Sequence, residues 1–305
     1  AKARRIDENA EVIIIQKDPD LSMASCGYPY YVGGVFDDRN MLLSTPTGVV
    51  RNPMFFMNAK NIIARSCTEA VAINRAANTV LCKNLQTSET DELSYDRLIL
   101  ATGSTPKMPP VPGVELDGIT TLQSMKDADY LRKIRDEKKI KKAVVIGGGL
   151  IGIEACEALH LAGIDVTVVE LLPQVLTFLD GELAKLVENH LRSKGVTVRT
   201  GNGIAAFLGE NGLLTGIRLA NDTELACELA VVAVGAGANP LLTQATDGLD
   251  LNKNGYIIAD AETGKTTKKG VWAGGDIVTG SATVILAMGA GRTAARAIND
   301  YLKEK

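Results

Sequence analysis

These 305 residues contain two histidines and one tryptophan, and aromatic residues make up 4% of the chain. His160 and His190 both fall in segments that read as helical, where packing or surface roles account for them, so no catalytic histidine is expected. The five cysteines, at 26, 67, 82, 156 and 227, include no CxxC pair and are odd in number. That pattern fits free thiols in a reducing compartment and makes a metal cage improbable. There is no basic excess: 33 Lys and Arg stand against 36 Asp and Glu, a net charge of -3. Neither nucleic acid nor an anionic membrane surface is therefore an expected partner. No apolar run reaches the roughly 18 residues that a membrane span needs. The opening Ala1-Lys2-Ala3-Arg4-Arg5 lacks the apolar stretch of a secretory signal, which points to a cytoplasmic location.

What the chain does have is 46% hydrophobic residues, 23% charged residues and 30 glycines, the composition of a globular protein with many tight turns. The length suits two domains. A polar, Arg-rich opening reads as a helix end, followed by the β-branched run Glu11 to Ile15 as a strand. Further strands are expected at Asn78 to Lys83 and Asp96 to Ala101, the latter breaking off at Thr102-Gly103-Ser104-Thr105-Pro106. Residues 126 to 142 carry alternating charges at helical spacing and read as a solvated helix with no assigned function. After them the pattern becomes a βαβ unit: a strand from Lys142, a glycine turn, a helix over Leu150 to Ala162 and a strand over Asp165 to Val169. Strands are also expected at Val196 to Arg199, Gly216 to Leu219 and Leu229 to Val234. The Gly-, Ala- and Asn-rich loop after the last of these holds Gly237, a further candidate for cofactor contact. Gly270 to Asp276 reads as a buried strand tipped by an acid, and a small-residue helix from about Thr283 to Tyr301 follows.

Gly147-Gly148-Gly149-Leu150-Ile151-Gly152 fits the G-x-G-x-x-G fingerprint in the strand-to-helix context that dinucleotide binding requires. Gly147 permits the tight turn, Gly149 lets a pyrophosphate approach the backbone, and Gly152 lets helix and strand pack closely. The positive end of the following helix would face the phosphates. Glu170, about twenty residues on, stands where a carboxylate accepts a ribose hydroxyl. Leu171-Leu172-Pro173 offers no cation to a 2'-phosphate, so NAD(H) is preferred to NADPH. A glycine turn that merely packs a helix on a sheet is the competing reading.

Three further segments surround this turn: Ser22-Met23-Ala24-Ser25-Cys26-Gly27-Tyr28-Pro29-Tyr30-Tyr31-Val32-Gly33-Gly34, Ala101-Thr102-Gly103-Ser104-Thr105-Pro106, and Gly275-Asp276. Together they resemble the pyridine nucleotide-disulfide oxidoreductases that carry one redox cysteine, the branch of coenzyme A disulfide reductases and NADH oxidases. The resemblance covers nearly the whole chain. It implies an α/β fold with two Rossmann-like three-layer (β/β/α) dinucleotide-binding domains, the FAD domain being discontinuous: residues 1 to 106 and 238 to 305 for FAD, 107 to 237 for NAD(H). It implies that Thr102, Gly103 and Gly275 lie near FAD and that Asp276 receives a ribityl hydroxyl. The helix starting at Ser281 to Thr283 would turn its positive end to the flavin, and Glu154 would lie near the nicotinamide. Cys26 would be the reactive thiol. A lone cysteine is more often a small buried hydrophobe; the surrounding motif singles this one out, and the other four read as structural. Against the family pattern the chain is expected to be truncated. It begins about 20 residues late, without the first glycine fingerprint, it has Gln16 where an acid would hold the FAD ribose, and it lacks the C-terminal dimerisation domain.

The acceptor remains open at this level. It is a small disulfide or persulfide reduced through Cys26, or oxygen or peroxide with Cys26 cycling through sulfenic acid, or a partner protein fed electrons by a flavin module. A chain that binds nucleotide without flavin is the least active alternative. Homodimerisation is a family expectation.

Overall fold

The computed structural model describes residues 2–238, 248–280 and 284–303. Contacts divide the chain into two units: Ala1–Met23, Leu43–Thr105 and Ala236–Lys305 in the first, Ala24–Leu42 and Pro106–Gly235 in the second. The segment around Cys26 thus groups with the glycine fingerprint.

In the second unit a five-stranded parallel sheet has the order Thr197–Arg199, Asp165–Val169, Lys142–Ile146, Leu229–Val232, Ile119–Thr120. The register sets Ile146 beside both Val169 and Val232. These central strands are near-continuous runs of Val, Ile, Leu and Ala because both faces are covered. An antiparallel meander, Ile204–Glu210, Leu213–Leu219 and Glu224–Ala226, covers one face, with Phe207, Leu214, Ile217 and Leu219 packed against Val144, Ile146 and Val232. The helix Leu150–Leu161 packs on the strands Lys142–Ile146 and Asp165–Val169 through its buried Ala155, Cys156, Ala158 and Leu159 face. This is the three-layer arrangement expected.

The first unit repeats the theme with shorter strands. Ile13–Ile15 pairs in parallel with Ile63–Arg65, and Leu98–Leu100 pairs in parallel with Val271–Ala273. A meander of Thr68–Asn74, Thr79–Asn84 and Thr90–Ser94 contributes Ala70 and Ile73 to a core around Leu100, Ile257, Val271 and Ile277. The helix Val284–Lys303 covers Trp272 with Ala294, Ala297 and Ile298. Trp272 and its neighbours Val271 and Ala273 point to opposite faces of the strand, so one strand serves both layers. The helix Pro53–Lys60 begins at an Asn52 cap, whose side chain accepts from the Phe55 N–H, with Pro53 in the first turn.

The charged helix is shorter than its pattern suggests: it runs Met125–Glu137 and stops because Lys138 adopts a left-handed conformation. Nor is it simply solvated, since Met125, Ala128 and Leu131 are fully buried. No described helix is long and apolar enough to cross a membrane.

Candidate functional site

The strand Lys142–Ile146 delivers the chain to Gly147 and Gly148, both buried, and then to Gly149, which is exposed. At Gly147 φ is +110°, and a Cβ would sit 2.4 Å from the carbonyl oxygen of Ala233; at Gly152 a Cβ would sit 1.9 Å from the carbonyl oxygen of Gly147. Those two glycines are dictated by the protein's own packing. Gly149 is different: its backbone is extended, and among the described residues, chain neighbours aside, no atom lies within 4 Å of where a Cβ would be. Packing does not demand glycine at this position, and the backbone there is open to a ligand. The helix Leu150–Leu161 begins at Gly149 with no side chain capping it, so its N–H groups and positive end remain available to an anion.

Glu170 follows the strand Asp165–Val169 and is half-buried. One carboxylate oxygen accepts the Gly148 N–H at 2.6 Å and the other the Leu172 N–H at 2.8 Å. The acid thereby braces the glycine turn, and each oxygen retains a lone pair for a ribose hydroxyl. Glu154, one turn into the helix, is exposed on its surface; desolvation by the neighbouring bulk, then the charge of Glu157, holds its carboxyl above the usual range.

In the first unit the strands Leu98–Leu100 and Val271–Ala273 end side by side, and the N–H of Gly274 donates to the Leu100 carbonyl at 3.3 Å. Beyond them lie Thr102, Gly103 and Ser104 on one side and Gly275 and Asp276 on the other. The Ser104 hydroxyl donates to the Asp276 carboxylate at 3.4 Å. Among the described residues, chain neighbours aside, no atom lies within 4 Å of a Cβ built at Gly103, and at Gly275 the Ala287 methyl alone comes within that range, at 3.8 Å. An FAD ribityl chain fits these residues: a carboxylate to accept its hydroxyls, and glycines that leave the space open. Asp276 begins a four-residue helix, Asp276–Thr279. Thr283 lies outside the described residues. Gly237 sits in the strand Ala236–Ala238, which pairs with Ser104–Pro106. Gln16 follows the strand Ile13–Ile15, and its amide donates to the Asp20 carbonyl at 3.4 Å.

Cys26 lies in the 3-10 turn Ser25–Gly27, just ahead of the six-residue helix Tyr28–Gly33, and it is exposed. The other cysteines are in contrasting places. Cys82, Cys156 and Cys227 are buried, and Cys67 is half-buried. Burial, followed by the nearby charge of Glu157 or Glu228, pushes the thiols of Cys156 and Cys227 up to about 12, so neither supplies a thiolate near neutral pH.

Sequence reasoning missed one feature of this region. Arg132 and Asp129, on the charged helix, bond to the segment that follows Cys26. Nothing in the local pattern connects Arg132 with Tyr31, 101 residues away. The one available signal was the Ser124–Asp127 capping box, which fixes where this helix starts but not what its charges reach.

The profile of the family described as pyridine nucleotide-disulphide oxidoreductase matches residues 1–293. A coenzyme A disulfide reductase from Staphylococcus haemolyticus is 33% identical over 68% of this chain and 45% of its own length. An NADH oxidase from Enterococcus faecalis is 30% identical over 88% of this chain and 57% of its own. Among solved structures, an NAD-dependent persulfide reductase from A. fulgidus superposes with a TM-score of 0.91 at 36% identity, covering 97% of this chain and 56% of that one. The chain spans about half the length of the curated relatives it matches. With the glycine turn, the two three-layer units and these matches in agreement, the chain belongs to the pyridine nucleotide-disulphide oxidoreductase family.

Proposed function

We propose that this protein is an FAD-dependent oxidoreductase that takes electrons from NADH and reduces a small disulfide or persulfide through Cys26. The observation that carries the reading is the contrast among the cysteines: the exposed one stands in the motif beside a short helix, in the unit that also holds the nicotinamide-type glycine turn. The names of the relatives support it, since they include a coenzyme A disulfide reductase and a persulfide reductase.

In this reading the turn Gly147–Gly152 and the N-terminus of the helix Leu150–Leu161 hold the NADH pyrophosphate, and Glu170 accepts the adenosine ribose hydroxyls. Leu171 and Leu172 flank that position without a cation, which favours NADH over NADPH. Thr102, Gly103, Gly275 and Asp276 hold the flavin side. A bound FAD would supply a two-electron relay between nicotinamide and sulfur. The Cys26 thiolate attacks one sulfur of the substrate disulfide, the S–S bond breaks, and one thiolate leaves while Cys26 becomes half of a mixed disulfide. Two electrons and a proton then return Cys26 to thiolate and release the second thiol.

Cys26→Ser is expected to abolish NADH-driven thiol release while NADH still bleaches the 450 nm band. Unchanged thiol release in that variant would overturn the reading. The likeness to an NADH oxidase favours a second acceptor, oxygen or peroxide with Cys26 as sulfenic acid. Oxygen consumption without a disulfide, lost in the same variant, would select it.

A further inference from the structure

The helix Met125–Glu137 is where the charge pattern and the structure part company. The guanidinium of Arg132 is largely enclosed, with its side chain 12% exposed. Its Nη1 donates to the backbone carbonyls of Tyr31 at 2.9 Å and Phe36 at 3.0 Å, its Nη2 to the Asp37 carboxylate, and its Nε to Asp136 at 3.0 Å. It also lies 5.1 Å from the centroid of the Tyr31 ring. Three residues back on the same helix, Asp129 accepts from the Arg39 Nε at 2.9 Å and from the Tyr31 hydroxyl at 3.4 Å. Between them the two side chains grip the stretch from Tyr31 to Arg39.

That stretch needs a grip. The helix carrying Cys26 at its head has six residues, well short of the roughly 12 to 15 at which a helix sustains itself in water. Its last carbonyls have few partners within so short a helix, and Arg132 adds a second donor to the Tyr31 carbonyl, which otherwise accepts only the Gly34 N–H at 3.2 Å among the described residues. The helix is also seated tightly, because a Cβ at Gly33 would come within 3.3 Å of the Cα of Ala158. The excursion closes at its base where the Ala24 N–H donates to the Leu42 carbonyl at 2.8 Å. An apolar pair would pack one helix on another at less desolvation cost than a guanidinium with two carboxylates. What the guanidinium adds is direction, since its planar fork meets two carbonyls and two carboxylates in one arrangement.

We infer that Arg132 is a positioning residue for Cys26, fixing the orientation of the 24–42 segment and hence the line along which the sulfur meets its substrate. The inference rests on Cys26 being the reacting sulfur. Displacement of a reacting group by about 1 Å costs up to a hundredfold in rate, so a loosened segment shows in turnover before it shows in NADH binding.

The test is hydrogen exchange by mass spectrometry on the full chain, with Arg132→Met and Arg132→Lys, followed by NADH-driven reduction of a small aromatic disulfide. In Arg132→Met the amides of 24–36, among them the hydrogen-bonded Gly27, Gly34 and Val35, exchange at least tenfold faster, while the strand Lys142–Ile146 keeps its protection. The kcat falls about tenfold with the KM for NADH within twofold, and Arg132→Lys lies between the parent and the Met variant on both measures. Unchanged protection over 24–36, or lost protection with unchanged kcat, overturns the inference. Should Arg132→Met also lose protection over Lys142–Ile146, Arg132→Lys decides, and parental exchange and kcat in that variant overturn it too. If Cys26→Ser retains turnover, the reading of Cys26 falls, while the exchange data still decide whether Arg132 holds the segment.

Discussion

The glycine turn at 147–152 and the Cys26 segment at 24–42 lie in the same unit, yet they are built in opposite ways. The turn is held mainly by backbone, with the Glu170 carboxylate on the Gly148 N–H as a side-chain brace: Gly147 and Gly152 have no space for a Cβ, and the ends of two adjacent strands meet them. The cysteine segment is held by side chains from a helix about a hundred residues further on. A nucleotide phosphate is bound through N–H groups that any sequence can present, so its site reduces to where glycines stand. A reacting sulfur must be aimed, and aim requires specific partners.

The largest effect expected from breaking this contrast is at Gly152. Gly152→Val forces a branched side chain onto a carbonyl 1.9 Å from its Cβ, which should cost about 3 kcal/mol or more. NADH binding, read by quenching of its fluorescence, should disappear along with native thermal unfolding. Gly149→Ala should separate ligand from fold. Its Cβ enters open space, so the melting temperature should stay within about 2 °C of the parent. The Kd for NADH should rise about tenfold, near 1.4 kcal/mol. Equal affinity in this variant would show that no pyrophosphate lies against that backbone.

The smallest effect is at the solvent end of the Arg132 grip. The hydrogen bond from Arg132, and then its charge, hold the Asp37 carboxyl below its usual value of 3.8. A carboxyl depressed in the folded state contributes stability above its unfolded value and loses it as the pH falls through the lower folded value. Protection of the 24–36 amides, corrected for intrinsic exchange, should therefore be flat from neutral pH down to about 4 and fall only in stronger acid. Asp37→Asn should remove that acid step and change protection at pH 7 by no more than about twofold, because the side chain is exposed. A larger change would move the weight of the grip from the two carbonyls to the ion pair.

The nucleotide half of the site was legible from the residues alone. The βαβ pattern, the fingerprint and Glu170 are all local signals, and the strands Lys142–Ile146 and Asp165–Val169 lie where the apolar runs place them. The meanders were read poorly: Thr68–Asn74 and Ile204–Glu210 mix polar and apolar residues on strands with one covered face, and each has a register shift that breaks the alternation. Met125–Glu137 was read as solvated because a charge at helical spacing looks the same whether it meets water or a backbone carbonyl.

The sequence by itself determined the glycine turn, the βαβ unit around it and the cysteine worth watching, since these depend on backbone sterics and short-range spacing. Only the tertiary structure decided which cysteines are enclosed, that Gly149 is open where Gly147 and Gly152 are not, and that Arg132 reaches Tyr31 and Phe36. Those facts depend on which distant surfaces are brought together, and burial, close approach and hydrogen-bond direction exist only once they are.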